Sequence, residues 1–515
     1  MQRKQLTLVI VSLLVVVLSV SLAYFTTQII GKGKNLDVSS ANLQIVFTDS
    51  DGAISGSNIE PGWSDTKTFT VENNSKSEYK YNIVIKDLMN TFVTKGYLQY
   101  KITSTNGGYN MTEYKDVPKS SVATDKILAY SVVIPKSVTQ TYTIEFRYLN
   151  DEDVDQGDDM GKVLKGTLFI TEGTEDIYAG YEEGTLGYQI MGDNPTRSTR
   201  SNNNNGTNDF ATPLIATTTG TLFTSTESIT GITDTPKEVY YYAGNATDNW
   251  VKFAGLYWRI IRTNHDGSIR LLYVGTSHDT TDGNIGTSKF NTSNNSPKYV
   301  GYKYGEDTSL DTIRNNTTDS TIKTTIDTWY QNNLTNYTKY LSTSAVYCND
   351  RSEGTGQTYS ASAQFKFAPY YRMDYDTHGA SSNPSYNCTD IRDAFSAENT
   401  SAKLTYPIAL MTADEIAFAG GVAFKSMSTP YAWFISNSAG TQVSSYWWSL
   451  SPIRWYGSDA RVWNWSSDGA GLGNDSVVIA YAVRPAISLK SCIKYSTGNG
   501  TYETPYEIVE TSSGC

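Results

Sequence analysis

Lys67-Thr68-Phe69-Thr70-Val71-Glu72-Asn73 alternates polar and apolar side chains through a run rich in β-branched residues. A period of two places Phe69 and Val71 on one face and Thr68, Thr70 and Glu72 on the other. This reads as a strand with one buried face, closed by the turn residues Asn73-Asn74-Ser75. The same pattern recurs outward from it at Ala41–Thr48, Tyr79–Lys86, Tyr97–Thr103, Ile127–Ile134, Thr141–Tyr148 and Val163–Thr171. Asp51-Gly52 and Asn106-Gly107-Gly108 supply further turns. Short strands with regular turn signals predict an antiparallel β-sandwich over residues 35–172.

The whole chain has 515 residues, which at about 150 residues per domain means two to four domains. Its 41 Lys and Arg against 52 Asp and Glu leave a net charge of −11. A polyanion needs clustered Lys and Arg, so this balance argues against a nucleic-acid partner. An aromatic content of 12% with only 18% charged residues excludes disorder throughout. Three His and four Cys are too few for a multi-ligand zinc or haem protein. The abundance of Tyr, Asn, Thr, Ser and Gly points to an exported, β-rich protein.

At the N-terminus, Gln2-Arg3-Lys4-Gln5 precedes the apolar run Leu6–Phe25. About 20 such residues cross the hydrocarbon layer as a helix. Arg3 and Lys4 would hold the N-terminus inside and export the rest. Residues 1–30 are therefore expected to be a signal or transmembrane segment. Ser21-Leu22-Ala23 would permit cleavage before Tyr24, and both cleavage and a retained anchor stay open.

Leu22-Ala23-Tyr24-Phe25-Thr26, then Pro61-Gly62 shortly before Lys67–Ser75, resembles the camelysin/TasA-like exported family. The resemblance covers about residues 5–172. It implies an extracellular β-sandwich of a Gram-positive-type bacterium, in some members assembled into biofilm-matrix fibres. Thr26-Thr27-Gln28-Ile29-Ile30 is more apolar than the family's usual polar turn, which puts the dedicated signal peptidase in question.

Residues 173–222 read as a polar linker, with Asn202–Asn205 and Thr217–Thr219 at low complexity and local structure at Ile177–Ile190. Residues 223–508 form a second globular region and 509–515 a tail. Phe253–Arg262, His265-Asp266-Gly267 and Ser268–Val274 predict a hairpin. Ile322, Ile326, Trp329 and Tyr330 recur at helical spacing and predict a helix over Ser320–Leu341. Thr412 and Glu415 form a capping box opening a short helix. Ala460–Trp465, a turn at Ser467-Asp468-Gly469 and Ser476–Ser488 read as strands. The fold class expected is mainly β with an α+β second domain.

The order Leu410–Glu415, Tyr446-Trp447-Trp448-Ser449-Leu450-Ser451-Pro452 and Val483-Arg484-Pro485-Ala486-Ile487 resembles the C-type-lectin-like fold of the sulfatase-modifying-factor superfamily. Retroelement-diversified variable proteins share that fold. With Trp258–Arg262 opening its hairpin, the region is most similar to uncharacterised exported domains of gut Firmicutes. The enzymatic branch uses a late cysteine pair, and no Cys lies between Cys388 and Cys492. The resemblance therefore implies binding rather than catalysis.

In the diversified relatives the segment after the Trp-Trp pair is the ligand face. The corresponding residues here are Arg454, Trp455, Tyr456, Asp459, Arg461, Trp463 and Trp465. Strand alternation puts Arg461, Trp463 and Trp465 on one face. Exposed, such residues suit a sugar or a protein hot spot. Buried, the two strand tryptophans are core, as Trp447, Trp448 and Pro452 are expected to be. Among the three pairings of four cysteines, Cys348–Cys388 and Cys492–Cys515 are preferred, one clamping an insertion and the other the tail.

No metal site is read. The acidic run Asp151–Asp159 suits a solvated hairpin loop better than Ca²⁺, and Asp49-Ser50-Asp51-Gly52 lacks the ligand pattern of an EF-hand. His265, His278 and His378 have no paired spacing. Asp414 and Glu415 are assigned to helix capping. The sequence thus predicts a bacterial cell-surface or matrix recognition protein without a cofactor, binding a surface glycan or protein ligand and held to the membrane by its N-terminal helix. Its rivals are a structural fibre component that self-assembles through the sandwich, and a surface hydrolase.

Overall fold

The computed structural model describes residues 36–38, 43–47, 52–55, 59–94, 96–202, 208–214, 222–280, 283–426, 433–434, 446–466 and 471–515. The Leu6–Phe25 run, Asp49-Ser50-Asp51 and Ser467-Asp468-Gly469 lie outside them. No helix among the described residues is long and apolar enough to cross a membrane. The protein is mainly β, and it divides into two compact units after Asp176.

Ten strands build the first unit among the described residues: β1 (Leu36–Val38), β2 (Leu43–Phe47), β3 (Ala53–Ser55), β4 (Ser64–Asn73), β5 (Tyr79–Asn90), β6 (Leu98–Ser104), β7 (Lys115–Asp116), β8 (Ser120–Ile134), β9 (Thr139–Tyr148) and β10 (Leu164–Glu172). They form two antiparallel sheets, ordered β1-β2-β4-β9-β6-β7 and β3-β10-β5-β8. One core joins the inward side chains of both sheets, Phe69, Val71 and Ile144 from the first and Ile83, Ile85 and Leu168 from the second. The alternation read in β4 is realised: Phe69 and Val71 are buried while Thr68, Thr70 and Glu72 are half-buried. Asn73 is buried too. Its Nδ2 donates to the Ile134 and Ser77 carbonyls at 3.2 and 2.8 Å, so it ties the end of β4 to β8. All seven strands predicted here are present; β4, β5, β8 and β9 run longer than predicted, β6 and β10 are shifted by one residue, and β2 is shorter.

The second unit begins at Ile177, so most of the expected linker is part of it. Thr185 caps the helix Leu186–Asp193, which buries Leu186, Ile190 and Met191 in the core of this unit. The Leu186 amide donates to the Ile493 carbonyl at 2.8 Å. Further on, Phe210 packs edge-on against Phe418. The helix overlaps the local structure expected at Ile177–Ile190, whereas the Phe210 contact was concealed by the polar residues around it.

Among the described residues the second unit has two large sheets and two small two-stranded ones. One large sheet is ordered Ser198–Thr199, Leu222–Glu227, Lys237–Tyr242, Leu256–Thr263, Trp250–Phe253, Tyr506–Ile508 and Tyr495–Thr497. Ile269–Gly275 joins it beside Leu256–Thr263, then Pro485–Leu489 and Ile408–Leu410. The other runs Thr287–Lys289, Ala480–Ala482, Trp447–Trp455, Ala460–Ser466 and Gly471–Ser476, with Phe365–Lys366 added beside Trp447–Trp455.

The hairpin turn is held by Asp266, which accepts from Ser268, Ser342 and Ser344. Its first strand is shorter than predicted. Ala254 and Gly255, both at positive φ, turn the chain so that Trp250–Phe253 pairs back on Leu256–Arg259. Likewise the expected strand 476–488 breaks, and its two halves serve different sheets. The predicted helix is α-helical over Thr321–Asn333 and tightens to a 3-10 turn over Thr335–Tyr340, and the capping box of Ala413–Phe418 is as predicted. Cys348 pairs with Cys388 and Cys492 with Cys515, at Cα separations of 5.8 and 5.5 Å. Two such bonds fit an oxidising compartment.

Candidate functional site

Seven sequence-predicted site residues lie on two neighbouring strands and the turn between them, and burial sorts them into two groups. Trp455, Trp463 and Trp465 are at most 1% exposed, so they belong to the core and offer no ligand face. Alternation gave the right direction for Trp463 and Trp465 but not what lies over them. The Tyr375 ring meets Trp463 at 5.8 Å, and Phe434 meets Trp465 edge-on at 4.9 Å. Gly421 also sits on Trp465, where an added Cβ would lie 3.0 Å from the ring. The chain thus covers its own tryptophans. Trp447, Trp448 and Pro452 are buried as well.

Arg454, Tyr456, Asp459 and Arg461 remain at the surface and are organised. Lys366 stands opposite Arg454, Arg454 opposite Arg461, and Arg461 opposite Ser476 on four adjacent strands. Directly opposed residues share a sheet face, so three cationic side chains form one cross-strand row. The Arg454 guanidinium lies 4.3 Å from the Tyr375 ring and 4.1 Å from the Tyr456 ring. Its Nη2 donates to the Tyr375 hydroxyl at 2.5 Å. Tyr456 is 40% exposed. Arg461 pairs with Asp459 at 2.8 Å, and Asp459 also accepts from Asn294 and Ser476. Burial would raise the Asp459 carboxyl, but these hydrogen bonds outweigh it and hold it below the usual range. Lys366 lies 4.1 Å from the Tyr370 ring and pairs with Asp376 at 3.3 Å. Sequence reasoning missed Lys366, Tyr370, Tyr375 and Asn474. The density of Tyr from Tyr359 to Tyr386 was the available signal.

A second cluster lies inside the unit. Arg262 pairs with Glu227 and Glu415 at 2.8 Å each, and Arg270 reaches the same Glu415 oxygen at 2.5 Å. Arg372 forks onto both Asp414 oxygens at 2.7 and 3.0 Å and meets Asp350 at 2.6 Å. Burial alone would raise the Glu227 carboxyl, yet Arg262 and the neighbouring His265 hold it far below its ordinary value. For Glu415, Arg270 and Arg262 likewise outweigh burial, and for Asp350 Arg372 does.

Four carboxylates and three arginines therefore converge on one cavity, which sequence spacing did not reveal. Capping accounts for one oxygen of Glu415, which accepts from the Thr412 amide at 3.0 Å, while the arginines take the other. The cavity is about 20 Å³. That is room for about one water and far too little for a sugar. Each of these carboxylates is already ion-paired, and Cys348 beside them is in a disulfide.

The remaining candidates resolve locally. Asp159 of the acidic run accepts from the Val93 and Thr94 amides and the Tyr148 hydroxyl. Asp151 accepts from Tyr97 at 2.6 Å. Among the described residues no group of His, Cys, Asp and Glu is arranged to hold a metal ion. An open cleft of about 600 Å³ along the helix Thr321–Asn333 is lined by threonine hydroxyls with Asn291, Asp319 and Tyr304.

No family model and no curated protein matches the chain. Among solved structures, a ruminal GH26 endo-β-1,4-mannanase is similar at 15% identity over 30% of each chain, with a TM-score of 0.15. AvmM, described as catalysing macrocyclization in alchivemycin A biosynthesis, is similar at 10% identity, covering 25% of this chain and 97% of that one, with a TM-score of 0.14.

Proposed function

We propose that the protein is a bacterial cell-surface or matrix recognition protein that binds a glycan or protein ligand through its second unit. The observation that carries this reading is the Arg454 guanidinium set between the Tyr375 and Tyr456 rings, with Tyr456 open to solvent. Tyr and Arg side chains are the residue types that carry binding energy at exposed faces, because they bring large area with few torsions. Both disulfides agree with an exported protein. In this reading the second unit is a C-type-lectin-like head, the first is a camelysin/TasA-like sandwich, and the N-terminal segment anchors or releases them.

The rival fibre reading has one feature in its favour. The 15-residue strand β8 ends its sheet among the described residues, and a free edge is a template for self-assembly. Register shifts along its pairing with β5, and Ser131 at φ 44°, break that edge into short pieces. Bulges of this kind oppose edge-to-edge addition, which favours recognition.

The test is a screen of the full chain, held in detergent micelles, against glycan arrays and whole bacterial and mucosal cells, beside a Tyr456→Ser variant. Saturable binding that the variant weakens supports the reading. Binding to nothing on the arrays or the cells would sink it.

A further inference from the structure

We infer that the Lys366–Arg454–Arg461 row is a site for an acidic sugar, a pyranose bearing a carboxylate or a sulfate, with Arg454 as its charge partner and Tyr456 as its platform. This rests on the recognition reading and names the ligand class. Like charges opposite one another on adjacent strands repel. The row nonetheless sets three cations side by side in a chain of net charge −11.

Its two outer members have local counter-charges, Asp376 for Lys366 and Asp459 for Arg461. The central one has no carboxylate within ion-pairing distance among the described residues. Among the described residues Arg454 bonds only the Tyr375 hydroxyl, and its Nε has no acceptor. Asp376 feels the Arg454 charge but is bonded to Tyr370 and Lys366. By contrast, Arg262, Arg270, Arg314, Arg351, Arg372 and Arg392 each meet a carboxylate, and Arg147, Arg197, Arg200, Arg259 and Arg484, which meet none among the described residues, each donate at least two hydrogen bonds.

A guanidinium fork matches the paired oxygens of a carboxylate or sulfate. The Tyr456 ring beside it, also 5.2 Å from Arg461, offers a flat apolar face to ring C–H groups. A neutral sugar would leave Arg454 uncompensated. A protein partner would need roughly 1,000 Å² with an apolar centre, whereas the surroundings of the row are Asp376, Asp459 and Asn474, and Tyr456 is its one exposed large apolar side chain.

The experiment measures binding of the full chain in detergent micelles to two matched pairs of polymers. These are polygalacturonate against its methyl ester, and dextran sulfate against dextran. The charged member of at least one pair should bind about tenfold or more tightly than its neutral partner, as expected for a charge-assisted hydrogen bond, and added salt should weaken it.

Arg454→Gln should remove that preference, and Arg454→Lys should restore part of it, while Lys252→Gln, an exposed cation elsewhere on the unit, should leave it unchanged. Thermal melting checks that each variant is folded. Which pair discriminates tells carboxylate from sulfate. Equal binding to charged and neutral polymers, or a folded Arg454→Gln variant with full preference, overturns the inference. Glycan or cell binding that ignores Arg454 overturns it too but leaves recognition standing, whereas binding to no probe and no cell removes both.

Discussion

Arg262 meets Glu415 across 153 residues of sequence and closes an ion pair at 2.8 Å within the core of the second unit. Both side chains are almost wholly buried. Removing one partner of such a pair leaves a charge in the interior without compensation, which costs about 3–5 kcal/mol. Glu415 carries two arginines, so Glu415→Ala is expected at the upper end of that range. Urea unfolding of the variant measures it, and a loss under about 1 kcal/mol would contradict this account of the network.

The same carboxylates set the response to acid. Glu227, Glu415 and Asp350 are held below their ordinary values in the folded state. A depressed carboxyl contributes its full stability above its unfolded-state value, near pH 4, and loses it as the pH falls through the folded value. The melting temperature should therefore change little from pH 7 down to about 5 and fall below about 4. Glu227→Gln should flatten that fall while lowering stability at neutral pH. An acid limb unchanged in the variant would show that other groups govern it.

Two aromatic residues nine positions apart in sequence should behave oppositely. Trp465 is core, and Trp465→Ala is expected to cost about 3–5 kcal/mol through lost burial and the cavity left behind. Tyr456 is exposed, and Tyr456→Ser should stay within about 0.5 kcal/mol of the parent. Comparable melting temperatures for the two variants would mean that Trp465 is not packed as described.

The Cys348–Cys388 bond closes a loop over a separation of 40 residues. Replacing both with Ser should lower stability by about 2–4 kcal/mol, since the unfolded chain gains freedom. Differential scanning calorimetry would read this as a lower transition for the second unit. The first unit has no cysteine, so its transition should not move.

Much of this architecture was legible in residue patterns where one physical rule governs locally. Period-two alternation located the strands around Phe69 and Ile144 because each has one wet face. The Thr412-Ala413-Asp414-Glu415 cap was legible for the same reason, since its hydrogen bonds span three residues. The tryptophans of Ala460–Ser466 were not decidable, because exposure depends on Tyr375 and Phe434, which arrive from distant segments. The row of Lys366, Arg454 and Arg461 depends on register between strands, which no local pattern specifies. Arg262 within the apolar Leu256–Thr263 strand was a readable hint of buried ion pairing, whereas Arg259 beside it is held by Asn249 and the Ala246 carbonyl.

The early helix Leu186–Asp193 finds its backbone partner at Ile493, and Gln189 its side-chain partner at Tyr495, 306 residues later. A ribosome adding about 5–20 residues per second delivers that partner some tens of seconds after the helix. For that interval the core holding Leu186, Ile190 and Met191 lacks Ile493, Tyr506 and Ile508. The second unit is therefore a late closer, complete only when its final segment has emerged. A chain stopped short of residue 490 would lack those three core side chains.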